Sequence, residues 1–320
     1  MHRAQKLLVG VDIGGTKTAI VISTRPPTVA ARLQFPTMPD AGPKRALSLI
    51  VAGIQTLLDE KKCDASNIRA IGVSCGGPLD RIRGIIQSPP NLKTWVDVPI
   101  VRMLSRKFSV PCRLENDANA CAVAEHRYGA GRGARNMVFL TMGTGLGAGI
   151  IVENQLYRGV NDLAGEIGHI RLTPSGPIGH NKRGSAEGWA SGGGMAQIAR
   201  REIQRARRRG LKTRLGAAGS VTARDVAIAA RRGDAVAIEI ARIAGERLGA
   251  VLAILVDILN PDRIVIGGLA MRFGTALLGP AREVMMREAL AESARSCLVM
   301  PAGLGEKIGD VAALCVAEGI

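Results

Sequence analysis

Apolar positions fall into two registers along the chain. The segment "KLLVGVDIGGTKTAIVIS" (Lys6–Ser23) has two apolar runs separated by an acid, two glycines, a threonine and a lysine, a pattern that reads as strand, tight turn, strand. β-rich residues continue toward Phe35. "RALSLIVAGIQTLLDEK" places Leu47, Ile50, Val51, Ile54, Leu57 and Leu58 at helical spacing. "IRAIGVSCGGPLD" reads as a strand entering a glycine–proline loop. A short helix in "IVRMLSRKFSV" and a strand in "PCRLEN" come next, then an alanine-rich helix in "DANACAVAEHRYG" that closes at Gly129.

The strand–turn–strand pattern then returns in "NMVFLTMGTGLGAGIIVENQLYRG", again with a glycine-rich turn. Helical spacing marks Gly192 to Arg208, Thr222 to Arg232 and Asp234 to Leu259. "RIVIGGLAM" gives a strand into a Gly-Gly turn with a helix following through Ala289, and "EKIGDVAALCVAEG" a closing helix. Two such units, each followed by mixed strands and helices, imply a long-period internal duplication. The shift from β-rich to helix-rich falls near Asp117.

Composition narrows the classes. With 320 residues, 47% hydrophobic, the chain can bury a large core, and about two domains is the expectation at this length. The net charge of +16 favours anionic partners without choosing among them. Much of it is arginine in "RREIQRARRRG" (Arg200–Gly210), which reads most simply as a solvated helix face. Aromatics are only 2%, too few to stack single-stranded bases. The six cysteines are scattered with no CxxC pair, so neither a disulfide framework nor a cysteine-rich metal site is expected, and a reducing cytoplasm fits. "LLVGV" is too short for a signal peptide, and "MVFLTMGTGLGAGIIV" falls short of the ~20 apolar residues of a membrane span.

The interruptions carry the chemistry. In Asp12-Ile13-Gly14-Gly15-Thr16-Lys17, glycines let backbone N–H groups approach phosphate oxygens, Thr16 offers a hydroxyl, Lys17 a positive charge, and Asp12 an oxygen for hydrated Mg²⁺. A polar hairpin turn is the alternative. The spacing is neither GxGxxG leading into a helix nor GxxxxGK[ST]. "TMGTGLGAG" (Thr141–Gly149) supplies a second phosphate cradle or a bulged hairpin. Gly267-Gly268 after "RIVI" gives a nucleoside close backbone approach, or is simply a turn. In "LENDANA", Asn116 and Asp117 lie between strand and helix: Asp117 is placed to take a proton from a sugar hydroxyl, or to cap the helix. "GEIGH" sets Glu166 and His169 three apart, and "SAEGWASG" adds Glu187, giving donors and acceptors for a polyol.

Taken in order, "DIGGTK", "GGPLD", "PPNLKTW", "LENDANA", "GTGLGAG", "GEIGH", "AEGWASG" and "NPDRIVIGG" resemble the ROK family (repressor, open reading frame, kinase) within the actin-like ATPase superfamily, over nearly the whole chain. The resemblance implies an α/β fold of two ribonuclease-H-like lobes around a central cleft. One lobe covers 1–118 joined by the closing helix 304–320, the other 119–303. It implies an ATP- and Mg²⁺-dependent hexose kinase acting on the 6-hydroxyl, glucose first, with N-acetylmannosamine or N-acetylglucosamine as alternatives. Asp12, Gly14, Gly15, Thr16 and Lys17 then form the first phosphate loop, Thr144 and Gly145 the second, and Gly267 and Gly268 hold the nucleoside. Asp117 is the base, and Gly77, Asn91, Asn116, Glu166, His169 and Glu187 surround the sugar. A homodimer is implied; nucleic acid and membrane are not expected as partners.

One departure is plain. The family's CxCGxxGC zinc motif is replaced by "GPIGHNKRGSAEG", where Ile178, His180 and Ser185 stand at cysteine positions. Structural zinc takes four N or S ligands, so no zinc is expected and local packing, Trp189 included, has to orient His169. Two further readings are a sugar-sensing repressor and a non-catalytic sugar binder. The family's repressors carry an N-terminal helix-turn-helix, for which a first strand beginning near Lys6 leaves no room.

Overall fold

The structure is a computed structural model that describes residues 6–216 and 221–320; the first five residues of the expected N-terminal lobe lie outside it. The chain divides into two compact units. One holds the chain up to Gly129, Gly159–Asp162 and Leu304–Ile320; the other holds Ala130–Arg158 and Leu163–Gly303.

In the first unit β1 (Leu7–Ile13), β2 (Lys17–Ser23) and β3 (Ala31–Pro36) form an antiparallel meander. After α1 (Gly42–Glu60), β4 (Ile68–Cys75) joins β1 in parallel. A small hairpin, β5 (Leu79–Asp80) and β6 (Ile85–Ile86), and α2 (Ile100–Phe108) lead to β7 (Cys112–Asn116), parallel to β4. The order is β3-β2-β1-β4-β7. α3 (Asp117–Tyr128) and the closing α11 (Ile308–Glu318) also belong to this unit. The expected apolar face of α1 is buried through Leu47, Ile50, Ile54, Leu57 and Leu58.

Glycine sets how closely α11 meets this sheet. Gly10 and Gly72 are register partners on β1 and β4. A Cβ on Gly72 would lie 2.1 Å from the Ala317 nitrogen and 2.4 Å from the Ala313 oxygen, so the helix backbone rests directly on the strands. That contact carries the first turn of α11 to Asp12: a Cβ on Gly309 would lie 2.4 Å from an Asp12 carboxylate oxygen.

The second unit repeats the topology. β8 (Met137–Met142), β9 (Leu146–Val152) and β10 (Gln155–Tyr157) form an antiparallel meander. The minor hairpin β11 (Ile178–Gly179) and β12 (Lys182–Arg183) is followed by α4 (Ala186–Ala190), α5 (Gly192–Arg208), α6 (Ala223–Arg231) and α7 (Ala235–Leu259). β13 (Arg263–Gly268) pairs parallel to β8; then come α8 (Leu269–Phe273), α9 (Thr275–Glu288), α10 (Ala291–Ser296) and β14 (Leu298–Pro301), parallel to β13. The order β10-β9-β8-β13-β14 mirrors the first sheet, so the duplication read from the turns reappears as shared topology.

The helix expected through Ala289 is broken at Gly274, whose φ of 56° is a left-handed conformation that separates α8 from α9. Gly245 and Gly249, four apart on α7, meet the carbonyls of Leu277 and Ala281 on α9, so these two helices pack backbone to backbone. No helix among the described residues is long and apolar enough to cross a membrane.

Candidate functional site

The turn Gly14–Lys17 lies where β1 passes into β2, closed by a hydrogen bond from Gly14 N to Lys17 O at 3.0 Å. Thr37 braces it: its hydroxyl donates to Gly14 O at 2.7 Å and its N–H to Thr16 O at 3.1 Å. Thr16 and Lys17 are exposed at the tip. Gly15 has to be glycine because Asn91 backs onto it, 2.6 Å from where a Cβ would stand.

Asp12, Ser74 and Glu115 form one cross-strand row on β1, β4 and β7. The carboxyl of Asp12 is pushed up to about 7, first by burial, then by the negative charges of Asp117 and Asp310, against weaker help from Ser74 and Lys17. Asp310, in the first turn of α11, is buried and paired with Arg32 at 2.8 Å. A carboxyl whose proton is held toward neutrality by burial and by two neighbouring carboxylates is a place where a divalent cation fits. Mg²⁺ needs only one or two protein oxygens when phosphates and water supply the rest. Cys75 is buried and Cys121 half-buried, and desolvation, with the charges of Asp117 and Asp12 adding to it, raises both thiols well above their ordinary range.

The cap of α3 falls to Asn116 rather than Asp117. Asn116 is the N-cap of α3, its Oδ1 accepting from Ala118 N at 2.9 Å and Asn119 N at 3.3 Å. Its amide nitrogen therefore faces the other way, toward Gly77, where a Cβ would lie 3.4 Å from it. Asp117 is the first residue of α3, its Oδ1 accepting from Ala118 N at 2.8 Å. Gly76 lies over the other carboxylate oxygen. The first unit thus gathers Asp12, Gly77, Asn116 and Asp117 at the ends of β1, β4 and β7, with Gly15 and Asn91 in contact.

In the second unit the turn Gly143–Gly145 joins β8 to β9. The head of α5 holds it: Gly192 N donates to Gly143 O at 2.8 Å and Gly193 N to Thr144 O at 3.3 Å. Glu187 takes the far side, its carboxylate accepting from Leu146 N at 3.2 Å. A Cβ on Gly145 would lie 2.7 Å from that carboxylate. The "GEIGH" loop leans on the same place, since a Cβ on Gly168 would lie 2.4 Å from Leu146 O and 3.3 Å from the Glu187 Cβ. Glu166 and His169 are exposed on that loop. Gly268 ends β13 at φ 71°, close enough to Met142 O to forbid a Cβ, with Gly267 against Phe139. Gly268 is thereby in register with Met142, the last residue of β8 before the turn.

Ile178, His180 and Ser185 lie on or beside the β11–β12 hairpin. Only the rings of His169 and His180 approach, at 4.6 Å between centroids, and no group of three His, Cys, Asp or Glu among the described residues could hold a metal. These residues do not fit a structural zinc. Trp189 was expected to help orient His169, but its indole N–H donates to Thr173 Oγ1 at 2.8 Å and its ring covers Gly176, bracing the loop's base instead. Sequence reading missed Thr37, Asp310 and the Gly192–Gly193 pair. Only the last left a signal, the triple glycine entering a helix.

Two five-stranded sheets of identical order, each with a glycine turn between its first two strands, define an α/β protein of the actin-like ATPase fold. The chain belongs to the ROK family, whose model matches residues 8–319. It is 33% identical to the glucokinase of Halalkalibacterium halodurans over 305 residues, covering 95% of this chain and 92% of that one. The ROK family glucokinase from Streptomyces griseus, solved in complex with glucose and AMPPNP, superposes with a TM-score of 0.82 at 32% identity, covering 98% of this chain and 99% of that one. Regulators are similar too: the xylose repressor of Caldicellulosiruptor bescii is 27% identical, over 87% of this chain and 69% of that one.

Proposed function

We propose that this protein is an ATP-dependent hexose kinase that phosphorylates the 6-hydroxyl of glucose. The observation that carries the reading is the placement of Asp117. It heads α3 beside the Asn116 N-cap, with Gly76 over one carboxylate oxygen and close enough to Asp12 for the two charges to interact. Likeness to glucokinases over nearly the whole chain supports it.

In this reading Asp117 accepts the proton of the sugar hydroxyl as its oxygen bonds to the γ-phosphorus and the bond to ADP breaks. The N–H groups of Gly14 and Gly15, the Thr16 hydroxyl and Lys17 hold phosphate oxygens, as do the backbone groups around Thr144 and Gly145. Gly267 and Gly268 give the nucleoside close approach. Mg²⁺ supplies charge neutralisation on the phosphoryl group when bound, and Asp12 holds it through water. Asn91, Asn116 and Gly77 are the sugar-contacting residues of the first unit in this reading, and Glu166, His169 and Glu187 are those of the second. The enzyme works in the cytoplasm as a homodimer, on the family's pattern.

N-acetylmannosamine and N-acetylglucosamine are the alternative acceptors, since they share most hydroxyls with glucose. The likeness to a xylose repressor favours a second reading, a non-catalytic sugar-sensing regulator. A coupled assay of ADP release over a panel of hexoses and N-acetylhexosamines separates them: glucose-dependent release is expected, and none with any sugar refutes the kinase.

A further inference from the structure

The hairpin that lacks metal ligands is nevertheless held firmly. Gln197, on α5, grips both polar groups of one residue's main chain: its Oε1 accepts from Ile178 N at 2.9 Å and its Nε2 donates to Ile178 O at 2.8 Å. Two bonds from one planar amide fix orientation as well as position, as a paired strand would. Below, the fully buried Ser185 donates to Gly179 O at 3.3 Å and accepts from Gly188 N at 3.1 Å. The hairpin then turns through His180 and Asn181, both at positive φ.

From this grip two short paths reach the sugar-side residues of the same unit. Gly179 is so close to α4 that a Cβ would lie 2.8 Å from the Glu187 Cβ. On the other strand Lys182 Nζ donates to His169 O at 2.7 Å, while the His180 ring leans on the His169 ring. A shift of Ile178 therefore moves the supports of Glu187 and His169 together.

We propose that Gln197 is a positioning residue for the sugar side: its two-point grip on Ile178, seated on Ser185, sets His169 through the Lys182 hydrogen bond and Glu187 through the close packing of Gly179. The proposal rests on the sugar-kinase reading. Amide and hydroxyl groups neither titrate near neutrality nor bind zinc, so hexose binding by this protein is indifferent to zinc chelators.

The test compares the full chain with Gln197→Leu, which at similar volume removes both bonds to Ile178 together with the longer one from Nε2 to Gly193 O at 3.4 Å, and Gln197→Glu, which keeps the acceptor but sets a carboxylate against Ile178 O. Calorimetry with glucose should show both variants about tenfold weaker, the size expected when one or two hydrogen bonds are lost, with AMPPNP binding unchanged. Hydrogen exchange of the Ile178–Arg183 amides should quicken in both variants. Wild-type glucose binding should be unaffected by 1,10-phenanthroline in excess Mg²⁺. Glucose binding within about twofold of wild type, equal losses for glucose and AMPPNP, or loss of wild-type binding to the chelator each overturns the proposal. A wild-type protein that binds no hexose refutes the kinase reading instead. Hydrogen exchange then judges the grip alone, and unchanged exchange at the hairpin sinks it whatever the sugar data say.

Discussion

Asp12 makes the fold's stability depend on pH in a direction opposite to that of an ordinary salt-bridged acid. In the native state it ionises at about 7 and in the unfolded chain at 3.8. Below 3.8 both states hold the proton, and the full contribution to stability is present. As pH rises toward 7, the unfolded chain releases its proton while the native state keeps it, and native stability falls. Above 7 both are ionised and the loss levels off. A shift of about 3 pH units corresponds to about 4 kcal/mol at most. Asp12 keeps some solvent contact, which screens the repulsion from Asp117 and Asp310, so about 2 kcal/mol is the realistic size.

Replacing Asp12 by Asn keeps the shape and removes the titration. Melting curves of wild type and Asp12→Asn, without nucleotide or metal, should diverge in favour of the variant by about 4 °C between pH 4.5 and pH 8. Titrations elsewhere are common to both proteins and cancel in the difference. Under the kinase reading Mg²⁺ with AMPPNP competes with the proton, so the divergence should shrink when both are added. Curves that stay parallel across that range would refute the account of a carboxyl crowded by two others.

Asp117→Asn should lower turnover by at least ~100-fold, as loss of a general base does, while calorimetry finds glucose affinity within about threefold; near-normal ADP release would remove Asp117 from the reaction. Gly72→Val has to lift α11 off the sheet and should cost more than about 3 kcal/mol in denaturant unfolding, and a midpoint near wild type would contradict the contact. Gly145→Ala drives a methyl group into the Glu187 carboxylate and should raise KM for both glucose and ATP by about tenfold or more, whereas an effect on ATP alone would uncouple that glutamate from the sugar.

How much of this was legible depends on whether a feature is local. The two strand–turn–strand units announce themselves because apolar alternation and glycine turns lie within a few residues of each other. α5 was read from Gly192 to Arg208, where the structure has it, because its apolar face repeats at helical spacing. β14 and α10 went unread, since Leu298–Pro301 is short, largely exposed and ends in proline. Asp310 was invisible for a different reason. It comes nearly 300 residues after Asp12, and only the paired glycines Gly10 and Gly72, which admit α11 onto the sheet, bring it near. In "LENDANA" the sequence offered capping and catalysis at adjacent positions. It takes the hydrogen bonds of Asn116 to show which residue caps.

The two turns share a role and differ in support. The first is tied by a threonine from β3's end and touched by Asn91; the second hangs on the head of a long helix and is touched by Glu187. In each unit, then, a residue read as sugar-contacting lies directly against a residue read as phosphate-contacting, with a glycine making room. A side chain in van der Waals contact with a turn backbone cannot reorient toward a sugar hydroxyl without altering the space that turn occupies, because close-packed groups move together. Under the kinase reading the sugar therefore steadies both phosphate turns from within their own units. Glu187 is the stronger of the two links, because its carboxylate already accepts from Leu146 N and a sugar hydroxyl must share or displace that bond.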